Sequence, residues 1–173
     1  MAKKKITKWK NIPTFTRARY AVDVGWTDIN GWIEDYNLEM NPDFQRAHVW
    51  NQVQQIAYVE YVMRHGMSGK DIFMNQPGWN EGQKGTLVVV DGKQRLTAAL
   101  AFMNNEIKAF GSYKKDFDLI DRLTCSFRFH IADLETKAEV LQWYLDFNSG
   151  GTQHTEAELN KVRKLLKKDK SND

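Results

Sequence analysis

The chain has 173 residues, of which 42% are hydrophobic and 27% charged, and its formal net charge is +3. These are ordinary values for one folded domain with its own core, and they exclude collagenous, disordered and disulfide-framework chains. Cys125 is the one cysteine, and there is no apolar run of spanning length and no leader pattern, so an internal disulfide, a cysteine-based zinc site and a membrane helix are excluded and a cytoplasmic location is expected.

In chain order, "RYAVDVGW" alternates Tyr20, Val22 and Val24 and predicts a half-buried strand. "TDINGWIEDYN" predicts a short helix capped by Thr27 or Asp28, with Gly31 against it. "LEMNPDFQRAHVW" is extended and then loop, because Pro42 pushes Asn41 away from helical angles. Asn51 and Gln54 have the spacing of a capping pair and open a helix that ends at Gly66. Trp50 is expected to pack on that helix as a core aromatic.

"DIFMN" and "TLVVV" predict two strands around a polar turn. Trp79, in that turn, either covers the hairpin or stacks on a splayed base. A helix follows Asp91 and runs to about Asn104, with Leu96, Ala99, Leu100 and Met103 on one face. "SFRFHI" points Phe127, Phe129 and Ile131 inward against Arg128 and His130, and Cys125 just before it reads as a small core residue. Thr136 and Glu139 form a capping box for a helix that stops at Gly150 and Gly151. Thr155 and Glu158 open a last helix with Leu159, Val162, Leu165 and Leu166. The expected fold is one α+β domain with a small mixed sheet and four to five helices.

The charge is uneven. Residues 1–19 carry seven Lys or Arg and no acid, and residues 161–173 carry six against two Asp, which leaves the body between them at −8. The expected organisation is a basic arm over 1–16, a domain over 17–166 and a basic tail over 167–173. Basic ends suit DNA, because each neutralised phosphate releases counterions; solvated tails that aid solubility read equally well.

The chemistry concentrates at "LVVVDGKQRLTAAL", where a buried strand turns into a helix at Asp91-Gly92-Lys93-Gln94-Arg95. A helix N-terminus presents backbone N–H groups without intrahelical partners and a partial positive charge, which attracts anions. Gly92 lets the backbone approach a ligand, and Lys93 and Arg95 add two cations, the latter able to grip phosphate with parallel hydrogen bonds. Asp91 can orient Arg95, hold magnesium or accept a proton. The plain alternative is that Asp91 caps the helix and pairs with Arg95 one turn on, and from this turn alone that reading is preferred. The sequence is not a P-loop: "HGMSGKD" lacks the glycine five residues before Gly69 and has Asp71 in place of Ser or Thr. Two more stretches stand out. "NPDFQRAHVWN" holds Gln45, Arg46, His48 and Trp50, and "DFNSGGTQHT" holds Asn148, Gly150, Gly151 and Thr152, which suit either a helix C-cap or an anion nest.

In this order the three stretches resemble the N-terminal domain of GmrSD-type modification-dependent restriction enzymes, a domain similar in fold to the ParB/sulfiredoxin superfamily. The resemblance is carried by Pro42, Phe44, Gln45, Arg46 and Trp50, by Asp91, Gly92, Gln94, Arg95 and Thr97, and by Asn148, Gly150, Gly151 and Thr152. It covers about residues 38 to 160. Lys93 stands where the family usually has Gln, which adds a charge and favours a nucleotide over a neutral ligand. The third stretch, at Phe147-Asn148, is more tightly spaced than the family pattern.

The resemblance implies a cleft for ATP or GTP with Mg2+, built from all three stretches. Asp91, Arg95, Gln45, Arg46 and His48 would be catalytic, with Asp91 also the metal ligand. Gly92, Lys93, Gln94, Thr97, Asn148, Gly150, Gly151 and Thr152 would bind the nucleotide. No nuclease-like cluster follows the third stretch, so either the chemistry is completed in this domain or a partner protein acts in trans. The preferred expectation is a phosphotransferase acting on DNA, such as a kinase of a hydroxymethylated pyrimidine in a phage genome. The alternatives are an NTPase sensor of modified DNA working with a partner nuclease in restriction or anti-restriction, a non-catalytic DNA-binding protein, and, ranked low, a nuclease.

Overall fold

Four strands form one mixed sheet in the order β1-β4-β2-β3: β1 Arg19–Gly25, β2 Asp71–Asn75, β3 Val88–Asp91 and β4 Ser126–Ala132. The computed structural model describes residues 19–45, 49–82, 84–149 and 156–169. β1 and β4 are antiparallel, β2 and β4 are parallel, and β2 and β3 are antiparallel. Five α-helices complete the described fold: α1 Ile29–Asp35, α2 Gln52–Met63, α3 Lys93–Met103, α4 Lys137–Ser149 and α5 Glu156–Asp169. The expected mixed α+β domain is therefore what the chain forms.

Strand alternation splits the core in two. One sheet face carries Val24, Ile72, Met74, Val89, Phe127, Phe129 and Ile131, packed with Val59 and Val62 of α2 and Leu96, Ala99 and Phe102 of α3. The other face carries Val90 and Ala132, covered by Val140, Leu141 and Tyr144 of α4 and Val162 and Leu166 of α5. Phe44 joins this second core by an edge-on contact with Tyr144, ring centroids 5.3 Å apart. Helices thus lie on both faces, and those on the second face leave Asp23, Asp71, Arg128 and His130 at the solvent boundary.

The caps explain where the helices begin. Asn51 Oδ1 accepts from Gln54 N and Gln54 Oε1 accepts from Asn51 N, both at 2.9 Å, so the expected capping box opens α2. Glu139 N donates to Thr136 Oγ1 at 3.2 Å and Thr136 N donates to Glu139 Oε2 at 3.0 Å, which opens α4 in the same way. Asp28 sits at the N-cap of α1 but makes no side-chain cap bond, because its carboxylate is taken by Arg122. α1 forms despite Gly31, since Ile29 is buried and Trp32 and Ile33 pack on the first core.

Two expectations shift and a third holds. α5 extends to Asp169, so Lys167 and Lys168 belong to a helix rather than to a tail; their positive charges suit a helix C-terminus. Asp91 does not cap α3: the N-cap is Gly92, with φ of 98° and no side-chain cap bond. Trp79 packs against Tyr20, Trp32 and Tyr36 at centroid distances of 5.5, 6.4 and 5.5 Å, as the hairpin-covering reading requires. Burial pushes the Cys125 thiol up to about 11, which fits a core residue rather than a nucleophile. No described helix is long and apolar enough to cross a membrane.

Candidate functional site

The turn after β3 is built by a slip in the β2–β3 ladder. Phe73 pairs with Asp91 while its neighbour Met74 pairs with Val89, so Val90 is the extra residue of a bulge. The bulge sends Val90 into the core under α4 and places Asp91 on the sheet face that carries Phe73. Asp91 stays open to solvent, with its side chain 40% exposed, and Arg95 lies one helical turn on at 2.6 Å from Asp91 Oδ2. The expected ion pair is present. It orients the guanidinium beside the first turn of α3, where backbone N–H groups lack intrahelical partners.

Gly92 explains how tightly the turn is packed. A Cβ there would lie 2.5 Å from Ile72 Cδ1 and 3.3 Å from both the Asp71 carbonyl oxygen and an Arg95 guanidinium nitrogen. The glycine's open side therefore faces strand β2, and packing within the protein accounts for it. Lys93 is also drawn inward: it is only 8% exposed, and burial lowers the pKa of its ammonium. Thr97 is half-buried in α3.

The first stretch is fastened to this turn from both ends. Gln45 Nε2 donates to the Val89 carbonyl at 2.6 Å. Gln94 Oε1 accepts from the backbone N–H of Val49 at 3.0 Å and of Trp50 at 3.1 Å. Each glutamine thus holds backbone of the other stretch, a use that spacing alone does not reveal. Arg46 and His48 fall between these anchors in sequence and lie outside the described residues. Trp50 packs on Tyr58 of α2, ring centroids 5.4 Å apart.

The third stretch reaches the same place through an aromatic contact. Phe147, in the last turn of α4, lies 4.5 Å from Phe73 between ring centroids, and Phe73 is the register partner of Asp91. Asn148 follows Phe147 in α4. The Asn148 side chain and Gly150, Gly151 and Thr152 lie outside the described residues.

Two residues that sequence reasoning left unassigned also meet here. His130 Nε2 is 2.6 Å from Asp71 Oδ1, and the His130 ring stacks on Phe73 at 4.7 Å and 14°. Period-2 alternation already put His130 opposite the Phe127 and Phe129 face, but the β2–β4 pairing that brings Asp71 to it was not legible. Among the described residues no group of three or more His, Cys, Asp or Glu could hold a metal ion. Asp91 is a single carboxylate with one oxygen on Arg95.

Compared with protein-family models, residues 29–124 match the N-terminal domain of GmrSD restriction endonucleases, which is more than half of the chain. The chain belongs to this family. The matched GmrSD span contains the first two stretches, and both the third and His130 lie beyond its end. The five helices and four-stranded mixed sheet are consistent with the small ParB-like fold that the GmrSD resemblance implies. No curated protein and no solved structure matches the chain.

Proposed function

We propose that this GmrSD-type domain binds a nucleoside triphosphate at the Asp91 turn and transfers its γ-phosphoryl group to an acceptor on DNA, a hydroxymethylated pyrimidine being the acceptor that fits best. The observation carrying the reading is the convergence of the stretches. Gln45 and Gln94 tie the first to the second, and Phe73 ties the second to Phe147 and hence to the third. The reading uses the partly exposed Asp91–Arg95 pair beside the start of α3.

Phosphoryl transfer depends on positioning and charge neutralisation more than on covalent help from the protein. Arg95, held by Asp91, is placed to grip phosphate oxygens, and the first amides of α3 add donors. Lys93 follows Gly92 within the turn, and Arg46 would add a further cation. Bound magnesium would neutralise phosphate charge, with Asp91 as its protein ligand. The basic ends of the chain, +7 over residues 1–19 and +4 over 161–173, suit the DNA backbone.

A second reading, an NTPase that senses modified DNA and acts through a partner nuclease, is favoured by the restriction endonuclease named in the family match. Incubation with γ-labelled ATP or GTP and either plain or hydroxymethylated DNA separates the two. Label on the hydroxymethylated DNA supports the transferase. Label released only as inorganic phosphate, with the DNA unchanged, supports the sensor. Absence of both binding and turnover contradicts each.

A further inference from the structure

We propose that His130, positioned by Asp71, is the general base that takes the proton from the attacking hydroxyl. The inference rests on the phosphoryl-transfer reading above and assigns a residue outside the three stretches and outside the matched family span.

The geometry has three parts. First, an ionised carboxylate can only accept, so in the neutral ring the 2.6 Å contact between Asp71 Oδ1 and His130 Nε2 puts the proton on Nε2 and the lone pair on Nδ1. Among the described residues none hydrogen-bonds Nδ1. A carboxylate fixing one ring nitrogen while the other receives a proton is the arrangement a general base needs. Second, the ring is held flat against Phe73 and stays reachable, its side chain 33% exposed. Third, His130 and Asp91 are register partners of Phe73 on its two sides, so all three share one sheet face. Two strand spacings put His130 and Asp91 about 10 Å apart. Phe73 stands between them, its ring stacked on His130 and in contact with Phe147, so the attacking oxygen on the His130 side and the phosphoryl group on the Asp91 side would meet at the exposed edges of these rings.

The step balances. The acceptor O–H gives its proton to Nδ1 as its oxygen bonds to the γ-phosphorus. The bond from that phosphorus to the bridging oxygen breaks, and the nucleoside diphosphate leaves with the electron pair. The charged groups around the imidazole are Asp71 on β2, Asp23 on β1, Arg128 on its own strand, and the Asp91–Arg95 pair beyond Phe73. On the α4 side, Trp143 and Phe147, which contact Phe73, carry no charge.

The test compares wild type with His130→Gln, His130→Ala and Asp71→Asn in the labelled transfer assay across pH, with nucleotide affinity and melting temperature measured alongside. His130→Gln should lower turnover about 100-fold or more at neutral pH and remove the acidic limb of the pH–rate profile, with affinity within about 3-fold of wild type. Added imidazole should restore part of the turnover of His130→Ala. Asp71→Asn, which keeps shape but can donate as well as accept and so no longer fixes which ring nitrogen carries the proton, should lower turnover about 10-fold or more with nucleotide affinity unchanged. A His130→Gln protein that turns over like wild type with the limb intact overturns the inference and leaves the proposed function standing. Should His130→Gln fail to fold, Asp71→Asn turnover equal to wild type overturns it instead. Wild type that neither binds nor turns over nucleotide overturns both.

Discussion

Phe73 and Asp91 face each other across β2 and β3 at the residue where the ladder slips. Without that slip Asp91 would fall on the opposite face of the strand, toward the α2–α3 core. With it, a carboxylate, an imidazole and two phenyl rings share one face beside the start of α3. Bulges that re-aim a side chain recur beside binding sites.

The tightness of this turn gives a stability prediction. In Gly92→Ala a methyl group meets Ile72 at 2.5 Å with φ at 98°. In Gly82→Ala the backbone is similar, φ 94°, with nothing within 4 Å. Overpacking plus the left-handed penalty should destabilise Gly92→Ala by about 2–4 kcal/mol, against about 1 kcal/mol for Gly82→Ala. Thermal melts of the pair check this. Equal losses would mean that the Ile72 contact yields freely.

The Gln94 bonds predict a local effect. Gln94→Ala leaves the Val49 and Trp50 amides without their acceptor. Global stability should fall by only about 1 kcal/mol. Hydrogen exchange at those two amides should quicken by about 10-fold or more, and Gln94→Glu, which keeps an acceptor oxygen, should preserve protection. Unchanged exchange in Gln94→Ala would show that the first stretch is held by other contacts.

Lys93 gives a pH prediction. Burial lowers its pKa in the folded chain below the ordinary 10.5. Between the folded value and 10.5 the unfolded chain binds more protons, so stability rises with pH across that window. Compared with Lys93→Met, wild type should therefore gain as pH rises toward 10.5, and the difference should be flat at lower pH. Urea midpoints of both proteins measured across this range check it, and an opposite slope would refute the burial of the ammonium. The same variant should weaken nucleotide binding.

Much of this was readable from local chemistry. The Asn51–Gln54 and Thr136–Glu139 boxes, the alternation of Phe127, Phe129 and Ile131, and the Asp91–Arg95 pair are all relations within a few residues. What escaped is set by distant partners. His130 and Asp71 are 59 positions apart and meet only through the parallel β2–β4 register. The slip puts Val90 in the core covered by α4 and α5, and Lys93 is buried, both outcomes of tertiary packing. Gln45 and Gln94 were read as groups for a ligand, yet each has an amide end committed to backbone, a role no spacing rule distinguishes.

The central claim is that the Asp91–Arg95 turn receives nucleotide phosphates, and calorimetric titration of ATP and GTP with magnesium into wild type and Arg95→Ala tests it most directly. The pair is partly exposed, so losing it should cost the fold less than about 1 kcal/mol and leave the melting temperature nearly unchanged. Saturable binding by wild type, weakened about 10- to 100-fold in Arg95→Ala, is the predicted result. Heat changes absent from wild type, or equal affinity in the two proteins, would contradict it.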